Sequence, residues 1–264
     1  MNPDLTRRPV PVKARLGLRL QWSLWLRSLS LQASWNRQRM QNLGLLWNVL
    51  PWLRRRARHV NQDRIFCRRY YGFFNTNPYL ANFLIGGLVR LEENRTEADP
   101  LDGVEFIGTF REAVGRALAS LGDQLFWLGL RPTLVMLICF AGLLGRISSI
   151  LVILGIFTVS QLVLRWLALR SGYELGMDIV DLLFDKRWHL WIARTKRAGM
   201  VLTGMVIGLY LARIADGGMA ADRGFLWIGT GLGMGLPVVL RKRFPGEIMI
   251  LAALALALLL TFAI

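Results

Sequence analysis

The 264 residues suffice for one large domain or two small ones; 54% are hydrophobic, mean hydropathy is +0.39, and Lys/Arg exceed Asp/Glu by 33 − 17 = 16. A chain this apolar buries enough surface to offset its ordering entropy, which excludes disorder, and two cysteines, Cys67 and Cys139, exclude a disulfide scaffold. Several charge-free runs approach the length of a membrane crossing, which argues against an ordinary soluble domain and for a membrane protein with a basic surface.

The front of the chain carries the charge. Residues 1–70 hold 15 Lys/Arg against Asp4 and Asp63, a net +13, whereas residues 71–264 hold 18 against 15, a net +3. The opening Asn2-Pro3-Asp4 lacks the pattern of a secretory signal, and Pro3, Pro9 and Pro11 suggest a cytoplasmic lead-in. Leu18, Trp22, Trp25 and Leu29 recur at helical spacing, with Arg19, Ser23, Arg27 and Ser30 one residue on. That spacing predicts an amphipathic helix lying in the bilayer interface, so anionic lipid is the expected partner of the basic front and nucleic acid is not. Next comes a polar cluster, Gln32, Ser34, Trp35, Asn36, Arg39 and Gln41, with Gln32, Asn36 and Arg39 predicted to share one helical face.

Residues 70–91 read as a re-entrant or broken segment, because Asn75-Thr76-Asn77-Pro78 interrupts an otherwise apolar run. Polar backbone at membrane depth is tolerated only inside protein or along a water-filled cavity, and transporters place binding sites at such breaks. An acidic insert follows, with Glu92, Glu93, Glu97, Asp99, Asp102, Glu105 and Glu112, and Thr109 to Glu112 fits a capping box opening a helix with Phe110, Val114, Ala117 and Leu121 on one face. Asp123, Trp127 and Arg131 form a third cluster at i, i+4 and i+8. Ionisable groups at the edge of a span are functional candidates; a carboxylate and amides can take sugar hydroxyls while an indole covers the apolar ring face. The bland reading of each cluster is interhelical glue.

Pro132–Gly145 and Ile147–Leu164, 14 and 18 residues, suggest a hairpin buried among other helices and bent at Gly145. Glu174, Asp178, Asp181 and Asp185 read as a solvated acidic stripe. Gly224–Leu240 and Ile248–Ile264, each 17 residues, predict a hairpin around the basic loop Arg241-Lys242-Arg243, which the excess of basic residues on cytoplasmic loops places inside, with Ile264 outside. The loop 213–223 would then be outside, and the basic run from Lys186 to Arg197 inside. His59 and His189 have no metal-ligand spacing, the glycines of 229–233 lack a phosphate-loop Lys, and no cofactor or metal is expected.

Several ordered motifs resemble one family. Arg27-Ser28, Gln32-Ala33-Ser34-Trp35-Asn36, Arg39-Met40-Gln41 and Gly44 resemble the opening of the IID component of mannose/fructose/sorbose-family phosphotransferase system (PTS) permeases. Phe73-Phe74-Asn75-Thr76-Asn77-Pro78-Tyr79, Leu91-Glu92-Glu93, Gly122-Asp123-Gln124-Leu125-Phe126-Trp127 with Arg131-Pro132, Arg165-Trp166, Gly172-Tyr173, Gly176 and Asp178-Ile179-Val180 continue the resemblance in order, over residues 24–185. Arg116 and Ala117 stand where the family has Gly-Pro, so the helix is expected to run straight there. Near 190–200 the family's segment loses a Glu and gains charge.

The resemblance implies an all-α integral membrane protein with amphipathic N-terminal helices, a broken segment, helical hairpins and C-terminal transmembrane helices. It divides into a basic interfacial region over 1–69, a membrane core over 70–185 and transmembrane helices over 186–264. It further implies a multi-pass subunit of the bacterial inner membrane that is not itself an enzyme. Such a subunit pairs with a IIC membrane subunit in a hetero-oligomer and moves a mannose-type hexose phosphorylated by IIA/IIB carriers. Gln32, Trp35, Asn36, Asn75, Thr76, Asp123 and Trp127 are the expected sugar contacts, with Arg39, Glu92, Glu93 and Arg131 in structural or coupling roles. The alternative is a non-transporting membrane scaffold or sensor derived from the family.

Overall fold

The computed structural model describes residues 15–56, 66–94 and 102–216, all helices and turns with no extended strand among them. The expectations for His59, Glu97, Asp99, the glycines of 229–233 and the hairpin 224–264 with its basic loop lie outside the described residues. The helices are α1 (Leu18–Ser28), α2 (Asn42–Arg56), a short α3 (66–70), α4 (Ala81–Asn94), α5 (Asp102–Gly122), a π-helical segment (Asp123–Leu130), α6 (Arg131–Leu143), α7 (Ile147–Leu175), a 3-10 turn (Gly176–Asp178), α8 (Ile179–Leu183) and α9 (Lys186–Asp216).

Two units share the chain. The first joins the described residues up to Gly122 to Val159–Asp185; the second joins Asp123–Thr158 to the described residues from Lys186 on.

In the first unit α4 is the centre. Every residue from Ala81 to Val89 is buried, an all-round apolar helix and therefore an interior one. Gly86 and Gly172 bring α4 and α7 into backbone contact: a Cβ on Gly86 would meet the carbonyl of Leu169 and the amide of Tyr173, and one on Gly172 would meet the Phe83 backbone. Close approach through small residues is how membrane helices gain packing where the hydrophobic effect is weak. Helix α5 presents Ile107, Phe110, Arg111, Val114, Leu118 and Leu121 inward. It begins at Asp102, about two turns before the expected capping box, so Thr109 lies inside it. Acidic residues at 102 and 105 favour that earlier start by complementing the helix dipole. Leu118 rather than Ala117 fills the core, and the helix runs unbroken through Arg116 and Ala117.

Helix α1 divides its apolar residues between two faces. Leu20, Gln21, Leu24 and Ser28 are buried against protein, whereas Leu18, Trp22, Leu26 and Leu29 are exposed. Of the expected apolar face, Leu18, Trp22 and Leu29 point outward, whereas Trp25 is part-buried with its indole N–H on the Leu162 carbonyl, and a separate stripe fastens the helix to the protein. The helix stops at Ser28, where the Ser28 and Ser30 hydroxyls donate back to the carbonyls of Trp25 and Arg27.

In the second unit α6 packs along α9. The Thr133 hydroxyl lies 2.8 Å from the Gly129 carbonyl and 3.1 Å from that of Thr195, and Gly129 and Gly199 make room for the two threonines. The basic run from Lys186 to Arg197 forms the start of α9.

Among the described residues, two helical runs, Glu105–Leu143 and Ile147–Leu183, are long and apolar enough to cross a membrane. The expected hairpin exists, turned at Gly145 with φ of 69°, but it is not buried: Ile147 is 74% exposed, Leu151 70% and Ile156 66%. The acidic stripe is solvated, with Glu174, Asp178 and Asp181 exposed, but it is spread over the end of α7, the 3-10 turn and α8.

Candidate functional site

Two polar knots hold the first unit together, and both are built from the sequence motifs. The first joins the turn after α1 to the break before α4. Residues 29–41 are not helical, contrary to the expectation that Gln32, Asn36 and Arg39 share a helix face. The reason is local: the Asn36 side-chain oxygen accepts the Arg39 amide at 2.8 Å, Asn36 and Met40 exchange backbone bonds, and Met40 takes a φ of 55°. The turn aims Gln41 at the second loop. Its side-chain amide donates to the Thr76 carbonyl at 2.9 Å and accepts the Thr76 amide at 3.1 Å, so one side chain satisfies both backbone groups of Thr76. Backbone bonds from Gln41 to Phe74 at 2.8 Å and from Phe74 to Arg39 at 3.3 Å complete the clasp. The Thr76 hydroxyl donates to Gly115 on α5 at 3.0 Å, and the Asn42 amide donates to Tyr71 at 2.8 Å. The backbone of 71–80 thus breaks where the sequence predicts, with its polar groups met by side chains and not by a helix ladder.

This geometry sorts the candidate residues. Thr76, 3% exposed, has its amide, carbonyl and hydroxyl all committed, and both ends of the Asn36 amide are used, one on Arg39 and one on Asn42 at 3.2 Å. These two hold the loops in shape. Gln32, Trp35 and Asn75 are exposed and make no side-chain hydrogen bond within the described residues; Asn75 sits between Phe74 and Thr76, both of them anchored. Arg39 lies 4.4 Å over the Tyr71 ring. Asp123, Trp127 and Arg131 belong to the second unit, where Asp123 opens the π-helical segment and the Arg131 guanidinium stacks on the Trp127 indole at 3.6 Å. An eight-residue π-helix is uncommon, and such segments recur at functional sites.

The second knot is at the end of α4, where Glu92 and Glu93 accept bonds from three other helices. Arg69 and Tyr70 of α3 donate to Glu92, the tyrosine at 3.0 Å; Trp52 of α2 donates to Glu93 at 3.2 Å, as does Tyr173 of α7. Arg111 of α5 donates to the Arg69 carbonyl. Tyr70 lies outside both membrane-length runs; burial, and then the Glu92 carboxylate, hold its phenol well above the ordinary value, so it stays protonated and donating. The sequence singled out Glu92 and Glu93 but none of Trp52, Arg69, Tyr70 or Tyr173 as their partners. Asn42 and Asn82 were missed as well. An Asn inside the apolar run before Leu91-Glu92-Glu93 was the available signal, and Asn82 proves to be fully buried, donating to Ser28 at 3.0 Å and to the Arg165 carbonyl at 2.8 Å.

Comparison with known proteins agrees with this architecture. A family model described as "PTS system mannose/fructose/sorbose family IID component" matches residues 17–216. The mannose-specific EIID component of the PTS of Escherichia coli K12 is 34% identical over 158 residues, 60% of this chain and 56% of that protein. The sorbose-specific EIID component of Klebsiella pneumoniae is 31% identical over 160 residues, 60% and 58% respectively. The chain therefore spans little more than half the length of these curated relatives. Among solved structures, a chain of the cryoEM complex of the mannose transporter ManYZ with microcin E492 aligns over 92% of this chain and 96% of its own, with a TM-score of 0.57 at 22% identity. A second membrane-protein structure aligns over 93% and 96%, with a TM-score of 0.67 at 23% identity. At these identities the structures attest the fold alone.

Proposed function

The chain belongs to the IID components of the mannose/fructose/sorbose-family PTS, and from that membership we propose that it pairs with a IIC membrane subunit to bind a mannose-type hexose and carry it inward. In this reading the chain crosses the inner membrane several times and contributes part of the sugar site, while phosphoryl groups reach the sugar from IIA and IIB carriers. The observation that supports it best is the first knot. It commits Gln41, Asn36 and Thr76 to fixing two loops and leaves Gln32, Trp35 and Asn75 exposed beside them. Amides offered from a rigid frame suit hydroxyls, and an open indole suits the apolar face of a pyranose. Asp123 and Trp127 supply the same chemistry on the second unit.

Sugar affinity separates the exposed group from the fastening group. Asn75→Ala and Asp123→Asn should each weaken hexose binding by about 1–3 kcal/mol while leaving the amount of folded protein near wild type. Thr76→Val should do the reverse, lowering yield with affinity retained in what survives. Should Asn75→Ala and Asp123→Asn reduce yield and leave affinity intact, these residues are helix glue and the site assignment falls.

Pairing has its own test. Co-expression with a IIC subunit and purification through a tag on either chain should recover both, because the exposed apolar faces of α6 and α7 and the polar breaks need a membrane and neighbours. A monodisperse monomer that binds sugar alone would contradict the pairing.

A further inference from the structure

The junction of α1 with α7 has features that neither the sugar reading nor the two knots use. The charge-free segment of α7 runs from Ile147 to Leu164, 18 residues with an outward apolar face. At about 1.5 Å per residue it covers roughly 27 Å, close to the hydrocarbon thickness of a bilayer, so the residue that follows it sits at headgroup depth. That residue is Arg165. Its guanidinium donates to the Ser28 carbonyl at 2.9 Å and lies 5.4 Å from the Tyr79 ring, and no carboxylate pairs with it among the described residues. The same two helices carry three clustered indoles: Trp22 and Trp166 with ring centres 4.7 Å apart, Trp25 at 5.3 Å from Trp22 and 5.9 Å from Trp166. Trp25 is fixed by a bond from its indole N–H to the Leu162 carbonyl at 3.1 Å, while Trp22 is half exposed.

A cation without a counter-ion and an aromatic cluster at headgroup depth match one kind of ligand. We propose that the α1–α7 junction binds the headgroup of an anionic phospholipid. Arg165 receives the phosphate, Trp22 and Trp166 pack the glycerol region, and the outward face of α7 carries the acyl chains. Aromatic side chains and basic groups are the usual anchors at that depth, and a basic pocket between helices is the usual headgroup site. The exposed Leu18, Trp22 and Leu26 of α1 extend the same surface. The proposal does not depend on sugar transport.

The full chain, purified with whatever membrane subunit accompanies it, can be placed in phosphatidylcholine nanodiscs containing a small fraction of dibrominated lipid. The readout is the fluorescence lost in the wild type but not in a Trp22→Phe/Trp166→Phe variant, which isolates these two indoles. Brominated phosphatidylglycerol should quench that component about fivefold more effectively per mole than brominated phosphatidylcholine, the weight of one well-placed basic side chain at an anionic surface. Arg165→Gln should bring the two lipids level, and Arg165→Lys should keep most of the preference. Equal quenching by both lipids in the wild type would overturn the proposal, as would a preference that survives Arg165→Gln or disappears on adding millimolar inorganic phosphate. Absence of quenching by either lipid would show that protein covers this face, and would overturn it too. If Arg165→Gln does not assemble, the wild type and Arg165→Lys decide the matter alone.

Discussion

Glu92→Ala should destabilise the protein by about 3–5 kcal/mol, because it strands the Arg69 guanidinium in the interior. The side chains of Arg69 and Glu92 are 5% and 3% exposed, and Tyr70 donates to the same carboxylate, so its removal leaves two buried donors without their acceptor. Glu92→Gln keeps an acceptor for Tyr70 and removes only the charge; it should fall between wild type and alanine. Most of the cost comes from a buried charge with no partner. Arg69→Met with Glu92→Met, which removes both charges at similar volume, should therefore recover much of the stability of the single variant. Thermal unfolding in detergent, followed by loss of the monodisperse species, ranks the four proteins. If Glu92→Ala unfolds at the wild-type midpoint, the Glu92 pairing is not what joins α3 to α4.

Gly86→Ala and Gly172→Ala carry the second large expectation. Each new methyl would meet backbone of the facing helix, at Leu169 and Tyr173 in one case and Phe83 in the other, so no flexible side chain can move aside. Forcing α4 and α7 apart should cost about 1–3 kcal/mol for either substitution. Both act on one interface, so the double variant should lose clearly less than the sum of the singles, a coupling that independent sites do not show. Strict additivity would mean that the two helices are held by something other than this backbone approach. Separation would also loosen the bond from Asn82 to the Arg165 carbonyl, so hydrogen exchange in 159–175 should rise in both variants.

Much of this molecule was legible in one dimension. A run of apolar residues states by its composition that it avoids water, and an Asn-Thr-Asn-Pro inside it states that the helix cannot continue. The membrane class and the break over 71–80 follow from local chemistry alone. The ordered motifs also identified the family, which the match over residues 17–216 shows.

Only the tertiary structure decided which polar groups remain available. Asn36 and Asn75 read alike in the sequence, as amides within a motif, yet one is committed to Arg39 and Asn42 while the other is exposed. Thr76 depends on Gln41, 35 residues earlier, and Glu93 on Tyr173, 80 residues later. Periodicity reports which residues share a face, but not which neighbour satisfies them, because a hydrogen bond is made by proximity and carries no trace at either partner's position in the chain. The same limit applies to α1, whose spacing marked an apolar face without saying that Gln21, Leu24 and Ser28 would be the residues buried against protein. It applies again to the two units, each assembled from separate stretches of chain.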